Sequence, residues 1–448
     1  MKLMNSIRQL WRLWIAILTL VSMPFPVVAQ SLQQAVEQTL GSNPDVLIEV
    51  ERRLSFDAAL DQARGSYLPK IDVALGRGKE DKDNVTTQAT YGGPIGQRRS
   101  DRSLTLSQML FDGFATSSEV DRNQARVDSA SHKVSATSEQ IALKAAEAYL
   151  EVLRQVEVAA LTRDNLVVHQ HTYDQVKLRS SSGVGRKSDL DQIEARLALT
   201  RSNLTAAEAN LEVAKINYKL VVGQLPGTLI RPKAPDESLL PATPDQAAVS
   251  ASNNSRLLKS AMADMAAAEA QLQAARAAMY PRLDLEAGTT RSNFSTSVDA
   301  THDNTTYAMV KLRYTLFKGG SDVARIEETR HMAREAAEIK NRAGRQLEQS
   351  VRLSWNAYRS AHDRLPNLRQ HAEFSQLTRE AYNKQFTLGQ RTLLDLLDTE
   401  NEFYTANTNH INGQYVELFS RFRLLADLGL LLDAIGVKPP TESASGAP

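Results

Sequence analysis

Between Phe114 and Ser182 the chain runs for 69 residues without a glycine or a proline. Those two residues are the usual terminators of helices, and ordinary helices end after about three turns. Two further runs lack both: 37 residues from Arg186 to Val222 and 36 from Asp245 to Tyr280. Runs of this kind predict long helices. At a rise of 1.5 Å per residue the first would measure roughly 100 Å. Apolar residues recur in it at helical spacing: Ile141, Ala145, Ala148 and Val152, then Leu161 and Val168. In 261–278 ten of eighteen residues are alanine, which lets helices approach closely. These traits are coiled-coil-like without a strict heptad. In the second half a local bend is expected around Gly344 and Pro366.

Composition agrees with a long, solvated helical assembly. Only 6% of the 448 residues are aromatic and 23% are charged. The 53 basic and 52 acidic residues balance, giving no pull toward nucleic acid. The absence of cysteine excludes disulfide frameworks, thiolate metal sites and a lipoprotein anchor.

The first 29 residues read as a secretory signal peptide. Lys2, Arg8 and Arg12 precede an apolar run, Leu13–Val28, and Val27-Val28-Ala29 offers small residues before a cut at Gln30. Sixteen residues containing two prolines are short for a membrane span. Ser31 with Gln34 reads as a capping box, and Asn43-Pro44 as the start of another helix.

Five prolines cluster in a linker at 226–244, and the segments on either side of it repeat. Tyr67-Leu68-Pro69-Lys70-Ile71-Asp72 matches Met279-Tyr280-Pro281-Arg282-Leu283-Asp284; Leu110-Phe111-Asp112-Gly113 matches Leu316-Phe317-Lys318-Gly319; and Gly185–Asp191 matches Gly389–Asp395, at offsets of 212, 206 and 204 residues. The expected organisation is therefore a signal peptide at 1–29, a first repeat at 30–225, the linker, a second repeat at 245–437 and a disordered tail at 438–448.

Each repeat holds two segments of period-two alternation, expected as strands at about 70–78 and 102–110, and at about 282–290 and 307–316. One face is apolar: Ile71, Val73, Leu104, Leu106, Leu283, Leu285, Val310 and Leu312. The other is polar and includes Asp72 and Asp284. Polar loops, Lys79–Asp101 and Arg291–Thr306, join the strands of each pair. If the apolar face meets lipid, the polar face lines water. Four strands cannot close a barrel, and open edges are not tolerated in lipid. A membrane barrel would then be shared between chains, with three copies supplying twelve strands.

These residues resemble the TolC family of outer-membrane ducts over about Leu32–Gly436. The resemblance includes the family's second-repeat tip motif, which stands here as Phe386-Thr-Leu-Gly-Gln-Arg-Thr-Leu-Leu-Asp-Leu-Leu-Asp398. The run at 389–402 and Ser182-Gly-Val-Gly185 look most like the type I secretion branch that exports large adhesins. The resemblance implies a mainly α fold of two helix–β-hairpin–helix repeats. It further implies a homotrimeric 12-stranded barrel in the Gram-negative outer membrane, continued by a periplasmic α-helical barrel. Implied partners are a periplasmic membrane-fusion adaptor, an inner-membrane ABC transporter, an exported protein and outer-membrane lipid. A multidrug or small-molecule efflux channel is the alternative; a periplasmic coiled-coil scaffold or adaptor is the rival of another class.

By the same resemblance Asp395 and Asp398 line the periplasmic gate, with Arg391, Asp189 and Ser188 as gate links. Phe386 stands where the family commonly has Tyr, so any hydrogen bond from that ring is lost. Gly183, Val184, Gly185, Leu388, Gly389 and Gln390 form the tips that would contact the adaptor. The residues also allow plainer readings. Thr392 and Asp395 form a capping-box pattern, glycines end helices, and Arg391 could be an exposed surface arginine. No catalytic motif is present, and His169 and His171, two apart, face different sides of a helix. No cofactor, metal or enzymatic activity is expected.

Overall fold

The computed structural model describes residues 29–296 and 300–444. The signal-peptide reading, apart from Ala29, lies outside them. In chain order the elements are α1 (Leu32–Ser42), α2 (Pro44–Gly65), β1 (Lys70–Lys82), α3 (Val85–Tyr91), β2 (Ile95–Phe111), α4 (Ala115–Ser181), α5 (Lys187–Val222), α6 (Pro244–Asn254), α7 (Arg256–Arg276), β3 (Arg282–Ser295), β4 (Ala300–Arg313), α8 (Ser321–Thr387), α9 (Leu393–Asp427) and α10 (Leu431–Ile435). The fold is mainly helical, with one small sheet.

Helices α4 and α8 are each 67 residues long, and they begin 206 residues apart. α8 continues through Gly344 and Pro366 as one helix. The run 245–280 is not one helix. It breaks at Ser255, whose hydroxyl accepts from the Leu258 N–H (3.3 Å) and starts α7. A serine hydroxyl competes with the helical ladder in this way.

The chain forms two compact units. One, the sheet unit, comprises 40–143, 236–360 and the residues from 420 onward. Its sheet is antiparallel in the order β1-β2-β3-β4, so β1 and β4 each keep an unpaired edge within the chain. Ile71 pairs with Leu106, Val73 with Leu104, Leu283 with Leu312 and Leu285 with Val310. Leu106 pairs onward with Ala287 and Leu104 with Thr289. Paired residues share a face, so the register gathers all eight apolar candidates on one side. Ile71, Val73, Leu104, Val310 and Leu312 are exposed there by 47–68%. On the other face Asp284 is nearly buried and bound by Arg282 at 2.9 Å, a drier setting than the polar alternation suggests.

The strands reach further than the alternation does. Residues 79–82, 95–101, 291–295 and 300–306, expected in loops, are paired. Backbone pairing continues where both faces are polar and no apolar period marks it. The first hairpin also contains α3, whose Asn84 cap and Thr87 form a reciprocal capping box. β4 stops at Arg313, short of Leu316, because Arg313 lies opposite Arg282 and the next position is Pro281, which has no N–H.

A helical core in this unit joins Ala247 and Ala251 of α6, Val351 of α8, and Leu424 and Leu428. Trp355 donates to the Pro241 carbonyl (3.0 Å), and Ser350 and Ser354 donate to Asp427. The tail expected to be disordered forms a 3-10 turn at Thr441–Ser443, where Ser135 donates to the Ser443 carbonyl.

The other unit, the tip unit, comprises the residues up to 39, 144–235 and 361–419. Its part of the Pro-rich linker is anchored. Gln30 forms a parallel bridge with Leu229, and the buried Tyr149 and Tyr218 hydroxyls bond its carbonyl (2.7 Å) and its side-chain oxygen (2.9 Å).

Candidate functional site

The tip unit holds both helix-to-helix turns named from the sequence. In the first, Gly183 bonds back to the Ser180 carbonyl, and Val184 and Gly185 both donate to Arg179 O (3.1 and 2.9 Å). In the second, Gly389 bonds back to Phe386 O (3.0 Å) and Gln390 to Gln385 O (2.9 Å). Gly183 and Gly389 each have φ +75°, the left-handed conformation that ends a helix. The backbone therefore equates Gly183 with Gly389, at the same 206-residue offset as the long helices. The letter match of Gly185 with Gly389, offset 204, follows composition rather than geometry. At the backbone's offset Asp189 is the counterpart of Asp395.

Four helix ends pack behind these turns. Val176 and Tyr173 of α4, Leu190 and Ile193 of α5, Phe386 of α8, and Leu393, Leu396 and Leu397 of α9 form one apolar cluster. Phe386 is 5% exposed, with the Arg179 guanidinium 5.1 Å from its ring centroid. A phenyl ring suits this cluster, since a hydroxyl there would need a partner. Beyond the cluster the turns are open: Val184 is 84% and Leu388 72% exposed.

Asp395 completes a capping box. Its carboxylate accepts from the Thr392 N–H (3.1 Å) and hydroxyl (2.8 Å), and its own N–H donates to the Thr392 hydroxyl (3.3 Å). These bonds hold its carboxyl below the usual range, helped by the nearby Arg391 charge. Asp398, one turn on, is exposed and lies 3.5 Å from Arg196 of α5. Arg391 does not reach Asp189 within the chain. It donates to Gln385 (3.0 Å), and its guanidinium stands 4.3 Å from the Tyr382 ring centroid. Ser188 is exposed, and Asp189 donates its N–H to Arg186 O. His169 is buried and His171 exposed, on different sides of α4.

One group escaped sequence reasoning. The Glu400 side chain is 3% exposed, with Arg379 at 3.9 Å as its ion-pair partner and one oxygen without a hydrogen bond. Burial pushes its carboxyl up. The signal was its place seven residues after Leu393, on the stripe that includes Leu396 and Leu397. Arg379 also lies 3.9 Å from the Phe403 ring centroid, which ties α8 to α9.

The comparisons with known proteins agree with this architecture. The outer membrane efflux protein family matches residues 35–224 and 247–429. The chain is similar to the outer membrane efflux protein BepC of Brucella suis biovar 1, 24% identical over 379 residues, which are 84% of this chain and 80% of that protein. It is similar to the outer membrane protein TolC of Escherichia coli, 22% identical over 420 residues, 90% of this chain and 83% of that one. A crystal structure of a membrane protein from Pseudomonas aeruginosa has the same fold, with a TM-score of 0.78 at 17% identity, covering 89% of this chain and 93% of that chain. The two matched segments take in most of the molecule, including all four strands and both tips, and the chain belongs to the outer membrane efflux protein family.

Proposed function

We propose that this chain is the outer-membrane exit duct of a tripartite export system. Three copies would close a 12-stranded barrel, and the long helices would form a periplasmic tunnel. The observation that carries the reading is the sheet itself: an exposed apolar face in register across four strands, with two unpaired edges. Lipid tolerates such a sheet only if neighbours close it. No described helix is long and apolar enough to cross a membrane, so in this reading the sheet is the spanning part. A periplasmic scaffold would have no use for that face. Outer-membrane fractionation tests the reading; recovery in the soluble periplasm would sink it.

Within that reading, an ABC transporter and a periplasmic adaptor drive export, and the tips around Gly183–Gly185 and Leu388–Gln390 meet the adaptor. The cargo is a large adhesin-type protein, supported by the tip run at 389–402; small-molecule efflux is the second reading, efflux being the activity that BepC's name gives. Deleting the gene separates them: loss of surface adhesin with unchanged drug susceptibility supports secretion, and the opposite supports efflux.

The gate rests mainly on Asp398, because Asp395 is engaged in its cap. Since Arg391 turns to Gln385 within its own chain, a link to Asp189 or Ser188 would have to form between chains. Three Asp398 carboxylates near an axis would bind multivalent cations. Single-channel recording with a trivalent cation on the periplasmic side should show block that Asp398→Ala removes; equal block in both would place the gate elsewhere.

A further inference from the structure

The apolar face of the sheet changes character toward the hairpins. Leu75 pairs with Arg102, and Arg102 with Arg291. Arg77 lies opposite Ser100, and Lys79 opposite Arg98. Side chains alternate along a strand and match across it. Arg77, Lys79, Arg98, Arg102 and Arg291 therefore share the face of Ile71, Val73 and Leu104. All five are exposed, and none takes part in a salt bridge among the described residues. The acid on the same face in these rows, Asp81, stands at the hairpin end opposite Gly96.

The opposite face treats its charges differently. Arg99 is bonded to Glu80 (3.0 Å) and Asp101 (2.8 Å), and Lys70 to Asp72 (3.1 Å). Arg282 pairs with Asp284, and Lys311 with Glu286. On that side Lys70, Arg99, Arg282 and Lys311 thus have carboxylate partners, Lys82 lies over the Phe294 ring and Arg313 has no salt bridge among the described residues, whereas none of the five cations on the apolar side has a carboxylate partner.

The two ends of the apolar band also differ. Toward the helices it is bordered by exposed aromatic residues: Tyr67 (45%), Tyr280 (51%), Tyr314 (49%) and Phe317 (84%). Toward the hairpins the border is cationic. Arg291 is eight residues beyond Leu283, about 27 Å along a strand. With a tilt of about 40° that is roughly 20 Å of height, close to the 25 Å apolar band of outer-membrane barrels.

We propose that these five residues form a binding belt for the phosphate-bearing headgroups of the outer leaflet's lipids. The proposal rests on the reading of this face as lipid-facing. Cations at the edge of hydrocarbon are costly unless anionic groups meet them, and guanidinium matches phosphate with two parallel hydrogen bonds. Their long stems can lie along the apolar rows while the charged ends reach the headgroups. The aromatic border fits the opposite interface, where rings sit at headgroup level without needing a charge.

The test uses the purified native assembly and bisphosphorylated lipid A, with the same lipid stripped of its phosphates as the second arm. Native mass spectrometry counts retained lipid. The parent should retain the phosphorylated form roughly tenfold or more over the stripped one. The variant with Arg77, Lys79, Arg98, Arg102 and Arg291 all changed to Gln should lose that preference, while Arg99→Gln on the opposite face should keep it. Unchanged assembly mass and vesicle insertion verify that the variants fold. Equal retention of the two lipids by the parent, or an unchanged preference in the five-residue variant, overturns the proposal. If the parent inserts into vesicles and conducts but shows no preference, only the belt fails. If it never inserts, the belt and the lipid-facing reading fail together.

Discussion

At the scale of single residues, buried and half-buried carboxylates have distinct tasks. Glu139 of α4 faces the backbone N–H groups of Leu431 and Leu432 at the start of α10. Burial pushes its carboxyl up to about 7, with Asp433 adding to the rise and the two N–H groups and Arg256 opposing it. A raised acid binds its proton more tightly folded than unfolded. Its contribution to stability is greatest below the unfolded value and is lost as pH rises through the folded one. The ionised form then costs on the order of 3 kcal/mol. Glu139→Gln should therefore resist unfolding better than the parent at pH 8.5 and match it at pH 4, below the unfolded value, as followed by thermal or urea denaturation at both values. Asp395 has the opposite sign. Its carboxyl is lowered by the Thr392 hydroxyl and N–H, so its cap holds above the unfolded value and is lost as pH falls through the folded one. Phe386 anchors the apolar cluster of the tip unit. Phe386→Ala should cost about 3–5 kcal/mol locally, which faster proteolysis at 182–186 and 388–392 would reveal.

At the scale of elements, the two tip turns predict different tolerances. Gly183 and Gly389 need a positive φ but have open space, so alanine there should cost only about 1–2 kcal/mol. A Cβ on Gly185 would lie 2.8 Å from the Ser180 nitrogen, so Gly185→Ala must displace backbone. Limited proteolysis should find the Gly185 variant nicked faster than the Gly183 variant. On the sheet, Leu285→Arg or Leu312→Arg should hinder insertion by about 2–4 kcal/mol near the bilayer midplane. Asp303→Asn, exposed on the opposite face, should insert like the parent in a vesicle assay. The long helices were legible in the sequence because Gly and Pro mark their ends, at Gly113 and Gly183 for α4. The break at Ser255 was not, since serine also sits inside helices. The outer parts of the strands carried no apolar period, although backbone pairing needs none. The register places all eight apolar candidates on one face because period two and strand pairing agree. Among the tip residues, the Thr392–Asp395 pattern gave the cap, whereas Arg391's turn toward Gln385 and Tyr382 depends on packing between neighbouring helical turns. The clamp of Gln30 by Tyr149 and Tyr218 joins residues more than a hundred positions apart, which no local pattern announces.

In the whole molecule, the proposed duct needs other copies of the chain to complete its sheet in the membrane. β1 and β4 present free backbone edges, and hydrocarbon offers them no hydrogen bonds. The most direct measurement is the mass of the native, detergent-solubilised protein, taken by native mass spectrometry with detergent and lipid removed in the gas phase. The expected result is an assembly of three chains that dissociates only with loss of the sheet. A folded, stable monomer, with its four-stranded sheet intact and its edges unpaired, would contradict it.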